Sequence, residues 1–309
     1  MKNFSGKGLV PNELITMPVF AISIASGAAL TVFIATKIGM PISTTHSLVG
    51  ALFGAGVMAV GSQFDFEKLG STFLMPLIVS PLMAAVLSFI AYIIFRFFRK
   101  KLDITKKTNL NIHETQVTSI ASFKMDNVVT LKTKKTIEAT LNNKIEIYDG
   151  EIFGLNAQKV LDTLHFLSAG IVSFAGGLND TPKIVGLLLI INAVDIKWSM
   201  IIIAIVMAVG GLLNAKKVGV TMSKKITPMN SGQGFTANII TGLLVTTASI
   251  HGLPVSTTHV SVGSIFGIGT VTKKADYKMI GKILLSWLLT LPIAALVSGL
   301  LFKLLETLS

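Results

Sequence analysis

The sequence predicts an all-α integral membrane protein built as an inverted repeat, with broken or re-entrant helices and a small β-rich insertion outside the membrane. Three observations carry this prediction. First, only 14% of the 309 residues are charged and 51% are hydrophobic, whereas a soluble domain carries about 25% charged residues. With a mean hydropathy of +0.72, such a chain cannot cover itself with polar surface, and lipid is its natural solvent. Second, the string GMPISTTHSLVGALFGAG at 39–56 returns as GLPVSTTHVSVGSIFGIG at 252–269. Third, a polar stretch from 99 to 156 interrupts the apolar runs.

A span needs roughly 20 mostly apolar residues. The candidate runs are 15–38, 45–60, 73–98, 161–194, 198–213, 235–250, 255–271 and 280–305. Several are short, and the fourth carries polar residues in its middle. Short, Gly/Pro-interrupted segments at matching places in two halves mark the broken helices that line a mid-membrane site. The third spans also resemble each other, SPLMAAVLSFI against TLPIAALVSGL. Within the polar stretch, residues 117–152 are rich in Thr, Val and Ile with partial alternation, which predicts strands. The chain thus divides into a first membrane repeat at 1–98, a cytoplasmic insertion at 99–157 and a second repeat at 158–309.

The formal net charge is +12. The basic residues collect at the ends of apolar runs (Arg96, Arg99, Lys100 and Lys101; Lys216, Lys217, Lys224 and Lys225), which fits membrane orientation and gives no nucleic-acid groove. With those clusters inside, the first STTH string starts near the inner face and the second near the outer face. The two copies therefore run in opposite senses, the architecture of a secondary transporter. The second copy is preceded by about two spans that the first copy lacks. The economical expectation is that the N-terminal spans of the first repeat are missing or come from another chain. The absence of cysteine excludes disulfides and thiolate metal sites, and the polar N-terminus is not a signal peptide.

Two motifs carry chemistry. In Pro-Ser-Thr-Thr-His the proline breaks the helix, so the next helix begins with exposed N–H groups and the positive end of its dipole. Ser43, Thr44 and Thr45 add hydroxyls at one such start; Ser256, Thr257 and Thr258 add them at the other. Two facing helix starts make an anion site at mid-depth. His46 and His259 are read as structural, neutral and hydrogen-bonded. In FAGGLNDTPKIVGLL, at 174–188, Gly176, Gly177 and Pro182 are expected to break the helix beside Asn179 and Asp180. An Asp within a span marks a functional site by default; it can hold a cation that bridges to an anion, or a proton. Lys183 falls on the same face three residues on, where an ion pair with Asp180 would keep both charges tolerable. A hydrolase reading is set aside, because no nucleophile elbow appears and the duplication would go unexplained.

Together the motifs resemble those of the inorganic phosphate transporter (PiT) family, whose pattern is Gly-x-Asn-Asp plus G-x-P-V-S-T-T-H in each inverted half. The second half matches through Gly177, Asn179 and Asp180, then 233–235, then 252–269; the first half matches from just before Gly39 onward. The resemblance implies sodium- or proton-coupled symport of inorganic phosphate in the plasma membrane, with a sulfate or other oxyanion permease, or a non-transporting membrane subunit, as alternatives. It implies no enzyme activity and no cofactor beyond the coupling ion. The substrate set carried over by position is Ser43, Thr44, Thr45, Asn179, Asp180, Ser256, Thr257 and Thr258. The coupling cation falls to Asn179, Asp180, Ser43 and Ser256, with Asp180 as the candidate sodium ligand. Expected partners are phosphate, the bilayer, and a second copy or a second chain. Three departures stand out. The first Asn-Asp motif is absent, Asn238 replaces a common acidic residue, and Lys183 replaces an amide where many members read Asn-Asp-x-Ala-Asn-Ala. Lys183 is therefore expected to balance charge where a sodium ion otherwise would.

Overall fold

The computed structural model describes Phe4 and residues 6–110, 144–188 and 195–308. The helices are α1 (Asn12–Ile15), α2 (Pro18–Ile38), α3 (Thr44–Val60), α4 (Phe66–Lys68), α5 (Met75–Lys101), α6 (Ala157–Leu188), α7 (Ile196–Val220), α8 (Ser231–Ile250), α9 (Thr257–Thr272) and α10 (Tyr277–Leu308). Each apolar run of the sequence is matched by a helix within a few residues; the end of the fourth run, 189–194, lies outside the described residues. Among the described residues, six helices are long and apolar enough to cross a membrane. α9, with 16 residues, spans only about 24 Å at 1.5 Å per residue, short of a core roughly 30 Å thick. This is a multi-pass membrane protein.

Helix starts and stops follow local chemistry. Pro18 opens α2 at its first turn, where its missing N–H is an orphan anyway, and Gly39 closes it with φ 75°. Asn230 and Gln233 form a reciprocal capping box at the start of α8. One expectation fails. α6 does not break at Gly176, Gly177 and Pro182 but runs as a single helix with Pro182 inside it. Proline removes one i→i−4 bond, and the flanking turns on both sides hold the helical path. Asn179 and Asp180 thus sit within a continuous helix, just before the proline.

The repeats interlock through glycine. In lipid no hydrophobic force draws helices together, so small residues that let backbones touch set the packing. A methyl group at Gly54 of α3 would lie 2.0 Å from the Ala295 carbonyl oxygen of α10, and one at Gly267 of α9 would lie 2.1 Å from the Ala85 carbonyl oxygen of α5. In the repeat alignment Gly54 corresponds to Gly267, and Ala85 to Ala295. Each STTH helix therefore packs on the third span of the other repeat. Around the first contact sit Phe20, Ile24, Leu52 and Phe302; around the second, Ile226, Ile268, Ile283 and Trp287. The N-terminal segment folds onto the first cluster, with Phe4 edge-on to Phe73.

Residues 99–160 form a second compact unit. There β1 (Thr105–Leu110) pairs antiparallel with β2 (Lys144–Asp149), in register Thr105↔Asp149, and β3 (Glu151–Ile152) pairs with β4 (Leu155–Asn156). Arg99 lies over the buried Tyr148 ring and donates to the Ile104 carbonyl. The expected strand-rich stretch is described only from 144 onward; its part at 117–143 lies outside the described residues.

Candidate functional site

The site is assembled by two helix starts and one helix face. Both breaks share a backbone: Ile42 N–H donates to Met40 O at 3.0 Å and Val255 N–H to Leu253 O at 2.9 Å. Each proline-containing turn then delivers a serine to the cap position. Ser43 accepts from the His46 amide at 3.0 Å, and Ser256 from the His259 amide at 3.2 Å. The caps consume the third amide of each helix and leave those of Thr44, Thr45, Thr257 and Thr258 without a helical acceptor. Each serine accepts through its oxygen and keeps its O–H.

The histidines join the two turns. His46 Nδ1 lies 2.9 Å from His259 Nε2, and His259 Nδ1 lies 3.3 Å from the Leu77 carbonyl. A carbonyl only accepts, so His259 carries its proton on Nδ1 and receives that of His46 on Nε2. Trp287 stacks on His259 at 3.7 Å between ring centroids and donates its indole N–H to Pro41 O at 2.9 Å. Both histidines are thus structural members of the interface, each buried.

Against these turns lies α6. Asn179 Nδ2 is within 3.2 Å of Val255 O, 3.1 Å of Thr257 Oγ1 and 3.0 Å of Asp180 Oδ1. The carbonyl and the carboxylate accept only, which fixes the amide with its nitrogen toward them. Lys183, only 4% exposed, donates to Val255 O at 2.6 Å and Thr45 Oγ1 at 2.7 Å, and pairs with Asp180 Oδ1 at 3.2 Å. Thr45 donates in turn to Val255 O at 3.1 Å. Of the sequence-predicted residues, Thr45, Asn179, Asp180, Lys183 and Thr257 meet in one hydrogen-bonded network, and Ser43 and Ser256 cap beside it. Thr44 and Thr258 are half-buried and have no hydrogen-bond partner among the described residues, which leaves their hydroxyls for something else.

Sequence reasoning missed the Val255 carbonyl, which gathers Thr45, Asn179 and Lys183. The signal was present: Ser256 caps α9 and its own carbonyl takes the first intrahelical bond, so the Val255 carbonyl before it is not spent in the helix. Among the described residues no group of three or more His, Asp or Glu could hold a metal ion. Any cation here would rest on one carboxylate and neutral oxygens.

The fold and site define the class: a multi-pass membrane protein with two cross-packed repeats whose helix starts meet at a buried, donor-rich site. Residues 2–298 match the phosphate transporter family, and the chain belongs to that family, a family of transporters and not of enzymes. A Thermococcus kodakarensis protein assigned as a phosphate permease is 27% identical over 336 residues, covering 97% of this chain and 82% of the relative. One from Haemophilus influenzae, similarly assigned, is 29% identical over 337 residues, covering 96% and 79%. A solved structure, that of the sodium-dependent phosphate transporter, aligns with a TM-score of 0.71 at 21% identity, covering 100% of this chain and 85% of the other. That likeness carries the fold.

Proposed function

We propose that this chain moves inorganic phosphate across the plasma membrane by cation-coupled symport, with the two repeats rocking about the STTH turns to give alternating access. One observation carries the reading. Two oppositely placed helix starts, each with unspent amides and hydroxyls, converge so closely that Thr45 bonds to Val255 and His46 to His259. A tetrahedral dianion needs many donors from several directions, and helix starts supply them with a favourable dipole. Ser43, Thr44, Ser256, Thr257 and Thr258 provide the hydroxyls, and Asn179 orders Thr257. Asp180 would repel the anion unless balanced, and the Lys183 ammonium pairs with it in place. The relatives assigned as phosphate permeases and the sodium-dependent structural neighbour support phosphate as the cargo. The apolar outer faces of α6 and α7, with Phe166, Phe174, Leu212 and Leu213 exposed, suit lipid or a second copy.

The test is uptake of labelled phosphate into proteoliposomes, with sodium and proton gradients imposed separately and sulfate as competitor. Gradient-driven uptake that sulfate does not inhibit supports phosphate symport. Equal competition by sulfate would broaden the cargo to oxyanions, and no uptake by folded protein would reject transport by this chain alone.

A further inference from the structure

We infer that Lys183 is a built-in cation: its ammonium fills the oxygen shell beside Asp180, so that this position takes up no sodium ion. An ammonium has three N–H donors and no acceptor. Here the three are matched by three oxygens, Val255 O at 2.6 Å, Thr45 Oγ1 at 2.7 Å and Asp180 Oδ1 at 3.2 Å. Nothing remains with which to hold a substrate, so Lys183 is not a phosphate ligand. Its surroundings are instead those of a bound monovalent cation: one carboxylate, one backbone carbonyl freed by a proline turn, and one hydroxyl. The Phe4 ring, 5.7 Å from Nζ, adds a face favourable to positive charge.

The three oxygens come from three different elements. Thr45 starts α3 in the first repeat, Val255 lies in the break before α9 in the second, and Asp180 is on α6. A diffusible cation in this shell would join the two repeats on arrival and release them on departure. A lysine side chain joins them without a binding step, because its charge is tethered three residues from Asp180. The consequence is a site whose charge balance does not vary with sodium concentration.

This inference rests on the phosphate-symport reading for its meaning but is tested apart from it. Purified protein would be titrated with radioactive sodium, and separately with labelled phosphate in sodium-free and sodium-containing buffer. The wild type should bind phosphate equally in both buffers. Lys183→Asn should bind one more sodium ion per chain than wild type. Its phosphate affinity should be about tenfold weaker without sodium, because the Asp180 carboxylate is then left unbalanced near the anion, and should recover with sodium. Should Lys183→Asn be too unstable to purify without sodium, its melting temperature should rise with sodium and not with choline, unlike that of the wild type. In the double variant Asp180→Asn/Lys183→Met the additional sodium should vanish, because the carboxylate is gone. An Lys183→Asn protein that gains no sodium and no sodium response overturns the inference. So does a wild type whose phosphate affinity depends on sodium through Asp180. A wild type that binds no phosphate, beside a variant that gains a sodium ion, rejects the phosphate reading and leaves the tethered cation standing.

Discussion

In the first STTH turn Ser43 caps α3 and Thr45, the third hydroxyl of the triplet, accepts the Lys183 ammonium. In the second, Ser256 caps α9 in the same way, but the middle hydroxyl, Thr257, is the one engaged, by Asn179. The backbone turns, the caps and the histidines are duplicated; the partners are not. Both engaged hydroxyls are held by one helix, α6, whose Asn179 and Lys183 stand four residues apart on one face. The hydroxyls left over, Thr44 and Thr258, are therefore not equivalent positions in the repeat. Duplication supplies a symmetric ring of donors, and a single helix makes one side of it charged. A site with this layout offers its anion two helix starts of the same build with non-equivalent free hydroxyls, and carries its fixed cation on one side.

The comparison breaks most readily at Asp180. Asp180→Asn leaves the Lys183 ammonium buried without its counter-charge, a change that costs about 3–5 kcal/mol when a buried pair loses one partner. Labelled-phosphate uptake should disappear while the protein still inserts. The double variant with Lys183→Met should regain thermal stability but not uptake, which separates charge balance from folding.

The duplicated scaffold is tested by Gly54→Ala and Gly267→Ala. Each methyl group would strike the carbonyl of the facing helix, and each should destabilise by about 1–3 kcal/mol, as overpacked cores do. Equal losses in thermal melts in detergent would establish that the two cross-repeat contacts are energetically equivalent. A loss at only one would show that the symmetry is geometric alone.

The unpartnered hydroxyls sharpen the anion half of the comparison. Thr44→Val and Thr258→Val should each weaken phosphate about tenfold, the worth of roughly one hydrogen bond to a charged group, with melting temperature unchanged. Thr45→Val should lower stability as well, because it strips an acceptor from Lys183. The smallest effects belong to the caps: Ser43→Ala and Ser256→Ala should cost about 1 kcal/mol each. Matching values would again separate the symmetric scaffold from the asymmetric partners.

How much was legible beforehand varies by residue. The STTH strings read directly, since a proline before hydroxyl residues is a local instruction to stop one helix and cap the next. Lys183 beside Asp180 also read directly, because helical spacing alone places them together. The path of α6 did not: Gly176, Gly177 and Pro182 predict a break, yet one missing hydrogen bond was outweighed by the turns on either side. Val255 was legible as an unspent carbonyl before the Ser256 cap, but not as the hub, because which donors reach it is decided by residues far away in the chain.

Composition, the repeated string and the prolines at 18, 41 and 254 determined the membrane setting and the capped helix starts, all of which depend on residues close together in the chain. The sequence also placed Asp180 and Lys183 on one turn. The tertiary structure decided which repeat each helix packs against, that His46 meets His259, and that the Lys183 ammonium is saturated by oxygens from three elements. Those facts depend on contacts between residues far apart in the chain, 213 positions in the case of His46 and His259, and such contacts are set by where glycine lets backbones touch, which no local pattern encodes.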